Sequence, residues 1–334
     1  MTTTTPSGIS HRFIETNGLR MHIAEQGTGP LVVMCHGFPE SWYSWRHQLP
    51  ALATAGYRAV APDIRGYGQT DAPQAIDSYT THHYVGDLVG LLDALGAEKA
   101  VVAGHDTGCA AAWHAALLRP DRFRAVVALS VPYAPRGAAR PTTVMPQTDE
   151  SIWYQLYFQT PGVAERELEK NVRESIRRIV YSFSGDAPPG PVTIADPATV
   201  GMLPRTGGLL TRSIDPPVLP QWFSEDDLDF YASEFSRTGF RGGLNYYRNA
   251  DRNWELLAPY ADARVQVPAL YLTGDRDLVL YFRGGREERL AVLRRFVLKL
   301  RAVIILPGCG HWTQQERPQE VNAAMVQFLR ELDS

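Results

Sequence analysis

Asp106 lies in a pattern that projects a reactive side chain from the end of a strand. Residues 104–108 read Gly-His-Asp-Thr-Gly, follow a short apolar run and lead directly into an alanine-rich segment. A strand, a glycine-flanked turn and a helix form a nucleophile elbow, here with aspartate where serine is usual. Glycine suits positions 104 and 108 because the tight turn leaves no room for side chains. Aspartate is also a common helix N-cap, but the partners described below favour a nucleophile that the helix N-terminus keeps ionised.

Asp277 and His311 are the candidate acid and base. Each follows a predicted strand: Asp277 ends the segment Gly-Asp-Arg-Asp at 274–277, and His311 lies in Gly-Cys-Gly-His-Trp at 308–312. A carboxylate beside a histidine fixes the tautomer of the ring and stabilises the imidazolium. Asp275 is the competing orienting residue, and we favour Asp277. Nucleophile, acid and histidine occur in the chain order that the elbow pattern predicts.

The loop at 36–39 is the candidate source of an oxyanion hole. It reads His-Gly-Phe-Pro and follows the apolar run 31–35. A loop at this place can supply one backbone N–H, and the residue after the nucleophile supplies another. We therefore expect the N–H groups of Phe38 and Thr107 to be the donors, with Pro39 stiffening the loop.

An aspartate nucleophile predicts chemistry at a saturated carbon rather than at a carbonyl. Its carboxylate displaces a leaving group and forms an alkyl-enzyme ester. His311 then activates the water that hydrolyses this ester at the carbonyl carbon of Asp106, and the oxyanion hole stabilises that step. The main candidate substrates are therefore epoxides and haloalkanes.

Strand and helix signals alternate through the first half of the chain. Continuous apolar runs are typical of strands buried on both faces, and their alternation with helices predicts a parallel, doubly wound sheet. A hairpin is expected around Asn17-Gly18, between residues 11–16 and 20–26. The other predicted strands are 31–35, 57–61, 100–103, 125–129, 269–273 and 303–306, and the predicted helices are 41–54, 80–95, 108–118 and a last one from about 318.

The pattern changes between residues 132 and 250, where strand signals give way to helical, aromatic-rich stretches. These stretches cover residues 149–160, 164–182 and 225–236. A stretch rich in Pro and Gly at 184–220 predicts a long loop, and such loops are usually functional or disordered. We therefore predict an α/β core of residues 1–131 and 251–334, with a mostly helical cap inserted at 132–250.

Composition narrows the class of protein. The formal charge of −3 provides no basic field for nucleic acid. The three cysteines, Cys35, Cys109 and Cys309, form neither a disulfide framework nor a zinc motif. The chain has no secretory signal pattern and no apolar stretch of the roughly 18–20 residues that a membrane span needs. We expect a cytoplasmic protein without metal or cofactor, either a monomer or a homodimer.

The chain resembles the α/β-hydrolase-fold epoxide hydrolases, especially the hydrolase domain of soluble epoxide hydrolases. The likeness covers nearly the whole chain, and the cap motifs are its most specific part because dehalogenases and esterases share the core motifs. The motifs are His36-Gly-Phe-Pro39, Asp63-Ile-Arg-Gly-Tyr-Gly68, Gly104-His-Asp106, Tyr154-Gln-Leu-Tyr-Phe158, Asn245-Tyr-Tyr-Arg248 and Gly310-His-Trp312. The resemblance implies an α/β-hydrolase fold with a mostly parallel eight-stranded sheet flanked by helices, and an inserted helical cap.

The same resemblance implies hydrolysis of a lipophilic epoxide by water to a vicinal diol, through an ester on Asp106. In this family two cap tyrosines bind the epoxide oxygen and protonate it, and they match Tyr154 and Tyr247. A phenol suits this role because the leaving alkoxide is strongly basic. Tyr157 and Tyr246 are neighbours that could be mistaken for them, and packing in an aromatic cap is the alternative role for all of these tyrosines.

Thr107 is a departure from the family pattern, in which many members have Trp directly after the nucleophile. The backbone role of residue 107 is retained, but the wall of the pocket changes. The change weakens the alternative function of a haloalkane-type dehalogenase, since that Trp helps to bind halide. A ligand-binding relative without catalysis is the alternative from another class. The residues expected to line the substrate pocket are Phe38, Pro39, Gln155, Phe158 and Trp312.

Overall fold

The computed structural model of the protein describes residues 3–4, 8–188, 200–282 and 285–334. In those ranges the strands are β1 (Thr3–Thr4), β2 (Ser10–Thr16), β3 (Leu19–Gln26), β4 (Leu31–Cys35), β5 (Arg58–Pro62), β6 (Ala100–His105), β7 (Phe123–Leu129), β8 (Ser151–Trp153), β9 (Met202–Pro204), β10 (Val265–Gly274) and β11 (Val297–Leu306). The α-helices are α1 (Gln48–Thr54), α2 (Thr81–Ala94), α3 (Thr107–Leu118), α4 (Pro141–Val144), α5 (Tyr154–Tyr157), α6 (Val163–Leu168), α7 (Val172–Ser182), α8 (Glu225–Thr238), α9 (Arg241–Arg248), α10 (Ala250–Leu256), α11 (Gly285–Phe296), α12 (Thr313–Glu316) and α13 (Pro318–Asp333). Short 3-10 helices cover Trp42–Trp45, Ile76–Tyr79, Leu209–Thr211, Ala258–Tyr260 and Leu278–Tyr281.

A nine-stranded sheet lies at the centre of the described chain, in the order β1-β2-β3-β5-β4-β6-β7-β10-β11. The strands β1, β2 and β3 run antiparallel to their neighbours, whereas the strands from β5 to β11 in this order run parallel to one another. The predicted hairpin of β2 and β3 is confirmed. The sheet has nine strands rather than the expected eight because the two-residue β1 pairs with the start of β2.

Apolar layers cover both faces of the sheet. The strands β4 and β6 are buried along their whole length, as their continuous apolar runs predict. Val33, Val102 and Val126 stand side by side on β4, β6 and β7 and pack with residues of α2 and α3. Val32 and Val101 point to the other face and pack with residues of α1 and α13. Because these strands are parallel, their carboxyl ends form one edge of the sheet, where the candidate residues lie.

The predicted helix 41–54 is wrong in its first half. Residues Trp42–Trp45 form a short 3-10 helix, and α1 begins only at Gln48. Pro50 gives the physical reason. Proline has no N–H for the carbonyl four residues earlier, and its ring clashes there, so it is tolerated only in the first turn of a helix.

The segment 132–250 contains a strand pair where the sequence predicts a helix and a loop. The strands β8 and β9 pair antiparallel, with Trp153 opposite Met202. The stretch 149–160 is therefore a strand followed by the one-turn helix α5 rather than a single helix. Each of these strands is three residues long, and no local periodicity indicates a partner so distant in the sequence.

The remaining helical predictions for this segment differ in detail. The stretch 164–182 is two helices, because Asn171 caps α7 by accepting a hydrogen bond from the N–H of Glu174 at 3.3 Å. The stretch 225–236 is confirmed as α8. The helix α9 was not predicted, since Gly242 and Gly243 lower its helix propensity. Residues 189–199 of the predicted loop lie outside the described residues.

None of the described residues between 132 and 250 joins the nine-stranded sheet. The boundaries of the cap at these two positions stay a prediction. Across the part of the chain that the structure describes, no helix has both the length and the apolar character to cross a bilayer.

Candidate active site

The turn at Asp106 has the geometry of a nucleophile elbow. Strand β6 ends at His105 and α3 begins at Thr107, so Asp106 alone makes the turn, with φ 51° and ψ −121°. This positive φ is uncommon for a residue with a side chain. A Cβ at position 104 would lie 2.3 Å from the carbonyl oxygen of residue 108, and one at position 108 would lie 2.3 Å from that of Cys35. Glycine at both positions therefore allows β6, α3 and β4 to meet closely.

The carboxylate of Asp106 accepts a hydrogen bond and faces a histidine. The N–H of Phe38 donates to its Oδ1 at 3.0 Å, and Nε2 of His311 lies 3.6 Å from its Oδ2. Burial by itself would raise the pKa of Asp106, but the charge of His311 and the Phe38 N–H outweigh it and lower that pKa. Asp106 is therefore ionised at neutral pH. The N–H of Thr107 is at the first position of α3 and has no intrahelical carbonyl to bind.

His311 is oriented by Asp277 rather than by Asp275. Its Nδ1 lies 3.2 Å from Oδ1 of Asp277, which is fully buried and also accepts a hydrogen bond from the N–H of Val279 at 3.0 Å. Asp275 instead accepts from the N–H of Gly308 at 2.7 Å. The carboxylate of Asp277, the ring of His311 and the carboxylate of Asp106 thus form a continuous buried chain.

The two carboxylates control the charge of His311. Burial alone would lower its pKa, but Asp277 and Asp106 outweigh burial and raise the pKa to about 10. The histidine is therefore protonated while both neighbours are ionised.

Tyr154 and Tyr247 come from different helices and lie beside the same carboxylate. Their ring centroids are 6.0 Å apart, and both line the cavity that contains Asp106. Burial, followed by the charge of Asp106, raises the pKa of Tyr247 well above its usual range, so it stays a neutral phenol. Tyr157 instead donates its hydroxyl to Glu167 at 2.8 Å.

Two cavities meet at Asp106. They share Asp106, Tyr154, Tyr247, Val279 and Phe282. The other described residues of the first cavity are Phe38, Pro39, Phe158, Ile179, Phe183, Gly201, Met202, Leu203, Leu209, Arg212, Leu278 and His311. The second cavity has a volume of about 400 Å³ and includes Thr81, Thr107, Ala110, His114, Gln155, Tyr246 and Asn253.

The residues expected to line the substrate pocket do not all line the same cavity. Phe38, Pro39 and Phe158 line the first cavity, and Gln155 lines the second. Trp312 is not among the described lining residues of either cavity. It is 1% exposed, and its Nε1 donates to the carbonyl of Val180 at 2.7 Å. Trp312 therefore packs against His311 in the interior. Its place next to His311 in the sequence does not distinguish this role from that of a pocket residue.

Three residues near the site were not predicted as functional. The hydroxyl oxygen of Ser130 lies 2.9 Å from Nδ1 of His311, closer than Asp277 does. His105 lies between Oε2 of Glu40 at 2.7 Å and the carbonyl oxygen of His311 at 2.8 Å. Glu40 directly follows the His-Gly-Phe-Pro loop, and His105 directly precedes Asp106. Their places beside these motifs were the only indication in the sequence that they lie near the site. Among the described residues, no cluster of three or more His, Cys, Asp or Glu could hold a metal ion.

The mostly parallel sheet, the elbow and the Asp106, Asp277 and His311 chain define an α/β hydrolase with an aspartate at the nucleophile position. Residues 30–318 match the family described as alpha/beta hydrolase fold. Epoxide hydrolase A of Mycobacterium tuberculosis (strain ATCC 25618 / H37Rv) is 46% identical over 97% of this chain and 98% of its own length.

Two further similarities point to the same group. Bifunctional epoxide hydrolase 2 of Mus musculus is 37% identical, over 97% of this chain and 56% of its own length. The structure of an epoxide hydrolase from an endophytic Streptomyces superposes with a TM-score of 0.92 at 46% identity, over 98% of this chain and 96% of that one. The chain therefore belongs to the epoxide hydrolases of the α/β-hydrolase fold.

Proposed function

We propose that the protein hydrolyses epoxides to vicinal diols, with Asp106 as the nucleophile. One observation carries this proposal: an ionised carboxylate and two phenols, Tyr154 and Tyr247, line one cavity. A nucleophile and acidic O–H groups are the two things that ring opening of an epoxide requires. The apolar side chains of the first cavity favour a lipophilic epoxide, and water is the second substrate.

In the first step, an oxygen of Asp106 attacks one ring carbon, and the bond between that carbon and the epoxide oxygen breaks. The phenols of Tyr154 and Tyr247 bind the oxygen, and one of them gives it a proton. The products are a hydroxyalkyl ester and a tyrosinate. Gln155 supports this step if Tyr154 is the donor, because its Nε2 donates to the phenol oxygen of Tyr154 at 2.9 Å and stabilises negative charge there.

In the second step, His311 takes a proton from water, and the water oxygen attacks the carbonyl carbon of Asp106. The N–H groups of Phe38 and Thr107 stabilise the oxyanion. The bond between this carbon and the alkyl oxygen then breaks, and the diol leaves with the proton from His311. The carboxylic acid that remains returns a proton to the tyrosinate. His311 takes back from the solvent the proton that it lost when the ester formed, so the enzyme regains its initial state.

Ester formation also prepares His311 to act as a base. The carboxylate of Asp106 is one of the groups that raise the pKa of His311 to about 10. The ester has no charge, so the pKa of His311 falls when the ester forms. The histidine is then able to lose its proton to the solvent and to accept another from the attacking water.

The intermediate gives a direct test. The variant His311→Gln, mixed with an epoxide, is expected to gain the mass of one epoxide molecule, measured by intact-protein mass spectrometry. The matched control His82→Gln changes an exposed histidine and is expected to release diol without a lasting adduct. No adduct in His311→Gln, or an adduct in Asp106→Ala, would contradict the mechanism.

Residues 132–250 are proposed to act as a cap that supplies the phenols. Tyr154 and Tyr247 both belong to this segment, whereas Asp106 belongs to the α/β core. A chain without the segment would therefore retain the nucleophile and lose the groups that protonate the epoxide.

The location of the protein and its oligomeric state stay predictions. Cys35, Cys109 and Cys309 are all free and buried. Free thiols are consistent with the reduced compartment expected from the sequence. A cytoplasmic location and a monomer or homodimer are the expectations, which fractionation and light scattering would test.

A further inference from the structure

One face of α3 forms a wall of the second cavity. Thr107, Ala110 and His114 all line it, and their spacing of three and four residues places them on the same face of the helix. At 1.5 Å per residue, His114 lies about 12 Å along the axis from Asp106, and its side chain leans back toward the N-terminus of the helix. The cavity therefore leads from the nucleophile to a histidine at a fixed distance.

The hydrogen bond of His114 determines which ring nitrogen is an acceptor. Nδ1 lies 2.7 Å from the carbonyl oxygen of Ala110, and a carbonyl can only accept, so Nδ1 carries the proton. Burial lowers the pKa of His114, and the Ala110 carbonyl opposes this only in part. The ring is therefore neutral at pH 7, and Nε2 presents a lone pair.

The first cavity offers a different surface. Ile179, Phe183, Leu203 and Leu209 line it with carbon atoms. Because both cavities meet at Asp106, the two substituents of an internal epoxide would contact different chemistry. An apolar substituent suits the first cavity, whereas a substituent with a hydrogen-bond donor matches the second.

We propose that the enzyme prefers internal epoxides with an apolar group on one carbon and a hydroxyl-bearing chain on the other. The hydroxyl donates to Nε2 of His114 in the second cavity. The proposal rests on the proposed hydrolysis of epoxides at Asp106 and names the class of epoxide. His114 is then a residue that determines specificity, remote from the bonds that change.

The test compares pairs of trans-epoxides with one alkyl group and one chain that ends in either a hydroxyl or a methyl group. The chain length is varied, and kcat/KM is measured for each pair. The wild type is expected to prefer the hydroxylated member at one chain length by about tenfold, the value of one neutral hydrogen bond. His114→Leu is expected to abolish this preference. His114→Gln, which retains an acceptor oxygen, should restore part of it.

The control is His47→Leu, which removes a partly buried imidazole at the start of α1 that is not among the described residues of the second cavity. It is expected to keep the wild-type ratio. An unchanged ratio in His114→Leu overturns the proposal for His114 while leaving epoxide hydrolysis intact. No diol from either epoxide with the wild type would overturn the proposed function itself.

A measurement on the wild type does not depend on the folding of a variant. The ¹⁵N resonance of His114 Nε2 should shift when the hydroxylated diol product is added, because the lone pair accepts a hydrogen bond. The diol with the methyl end should leave the resonance in place. Equal responses to the two diols would contradict the proposed contact.

Discussion

Asp106 and His311 are coupled through their charges. Nε2 of the histidine lies 3.6 Å from the carboxylate, and the ionised state of each group favours the ionised state of the other. In the proposed mechanism, ester formation removes the charge of Asp106, so His311 holds its proton in the free enzyme and can lose it in the ester.

The substitution Asp106→Ala tests this coupling without substrate. Removing the carboxylate is expected to lower the pKa of His311 from about 10, because one of the two charges that raise it is lost. Histidine-selective NMR over a pH series measures the change. Asp275→Ala is the control, since Asp275 binds the Gly308 N–H instead of the ring. A fall of equal size in the control would refute the assignment.

The same shift affects stability. Because its pKa is raised, His311 binds its proton more tightly in the folded state than in the unfolded state. The resulting stabilisation of the fold is complete below about pH 6.5 and is lost as the pH rises through about 10. The free energy of unfolding should therefore fall more steeply between these values for the wild type than for His311→Gln.

The elbow depends on close contact among three elements, β4, β6 and α3. Gly108 is the second residue of α3, and a Cβ on it would meet the carbonyl oxygens of Cys35, the last residue of β4, and of His36, which follows it. Strand β4 also leads into the loop that places the Phe38 N–H. A shift of α3 away from β4 would therefore disturb Asp106 and the Phe38 N–H together.

The substitution Gly108→Ala measures this contact. Helix propensity alone would stabilise the alanine by about 1 kcal/mol, but the added Cβ would lie 2.3 Å from the Cys35 oxygen. We expect the clash to dominate and lower the free energy of unfolding by about 2 kcal/mol, with a large loss of kcat. Urea denaturation and steady-state kinetics measure the two effects.

Gly137→Ala is the matched control for that experiment. An added Cβ at this exposed position would meet only the oxygen of Ala139 at 3.9 Å, an ordinary contact. Its stability should stay within about 0.5 kcal/mol of the wild type. Similar losses in both variants would mean that the elbow contact is not the cause.

In the molecule as a whole, one buried carboxylate joins segment 132–250 to the loop that contains His311. Glu316 accepts hydrogen bonds from the N–H groups of Gly185 at 2.9 Å, Gly310 at 2.7 Å and Trp312 at 3.0 Å. Gly185 belongs to the proposed cap, and the other two flank His311. The N–H of His311 itself donates to Phe183 at 2.8 Å. The position of the histidine thus depends on both parts of the molecule.

The titration of Glu316 should be visible in the stability of the whole chain. Burial raises its pKa to about 7, although the three N–H groups oppose the rise. Protonation of Glu316 therefore stabilises the folded state. This stabilisation is complete below about pH 4.5 and is lost as the pH rises through about 7.

Comparison with Glu316→Gln isolates this contribution. The stability advantage of the wild type over the variant should shrink as the pH rises from 5 to 8, and urea denaturation at each pH measures it. Curves that stay parallel over this range would show that Glu316 does not titrate there. Glu287→Gln, an exposed residue of α11, is the control that should follow the wild type.

The sequence was sufficient for the parts of the site that obey local rules. A tight turn between a strand and a helix needs glycines around residue 106, so the elbow is visible as a short motif. Strands buried on both faces require unbroken apolar runs, which located β4, β6 and β7. The choice of aspartate then limited the chemistry to a saturated carbon.

The resemblance of the cap motifs supplied the two tyrosines. Long-range contacts decided the rest of the arrangement. Tyr154 and Tyr247 are adjacent because two helices of segment 132–250 pack together, and β8 pairs with β9, about fifty residues later in the sequence. Ser130 meets His311 across 181 positions of sequence. Such contacts depend on how whole elements pack, which no short window of sequence contains.

Local backbone geometry and strand burial depend on neighbouring residues, and they were enough to predict the elbow at Asp106, the chain order of the three candidate residues and most of the sheet. Tertiary packing decided that Asp277 rather than Asp275 contacts His311. It also decided that His114 lines a cavity together with Asp106, whereas Trp312 is not among the described lining residues of either cavity. The physical reason is distance: a side chain acquires its partner only when elements that are remote in the sequence come together.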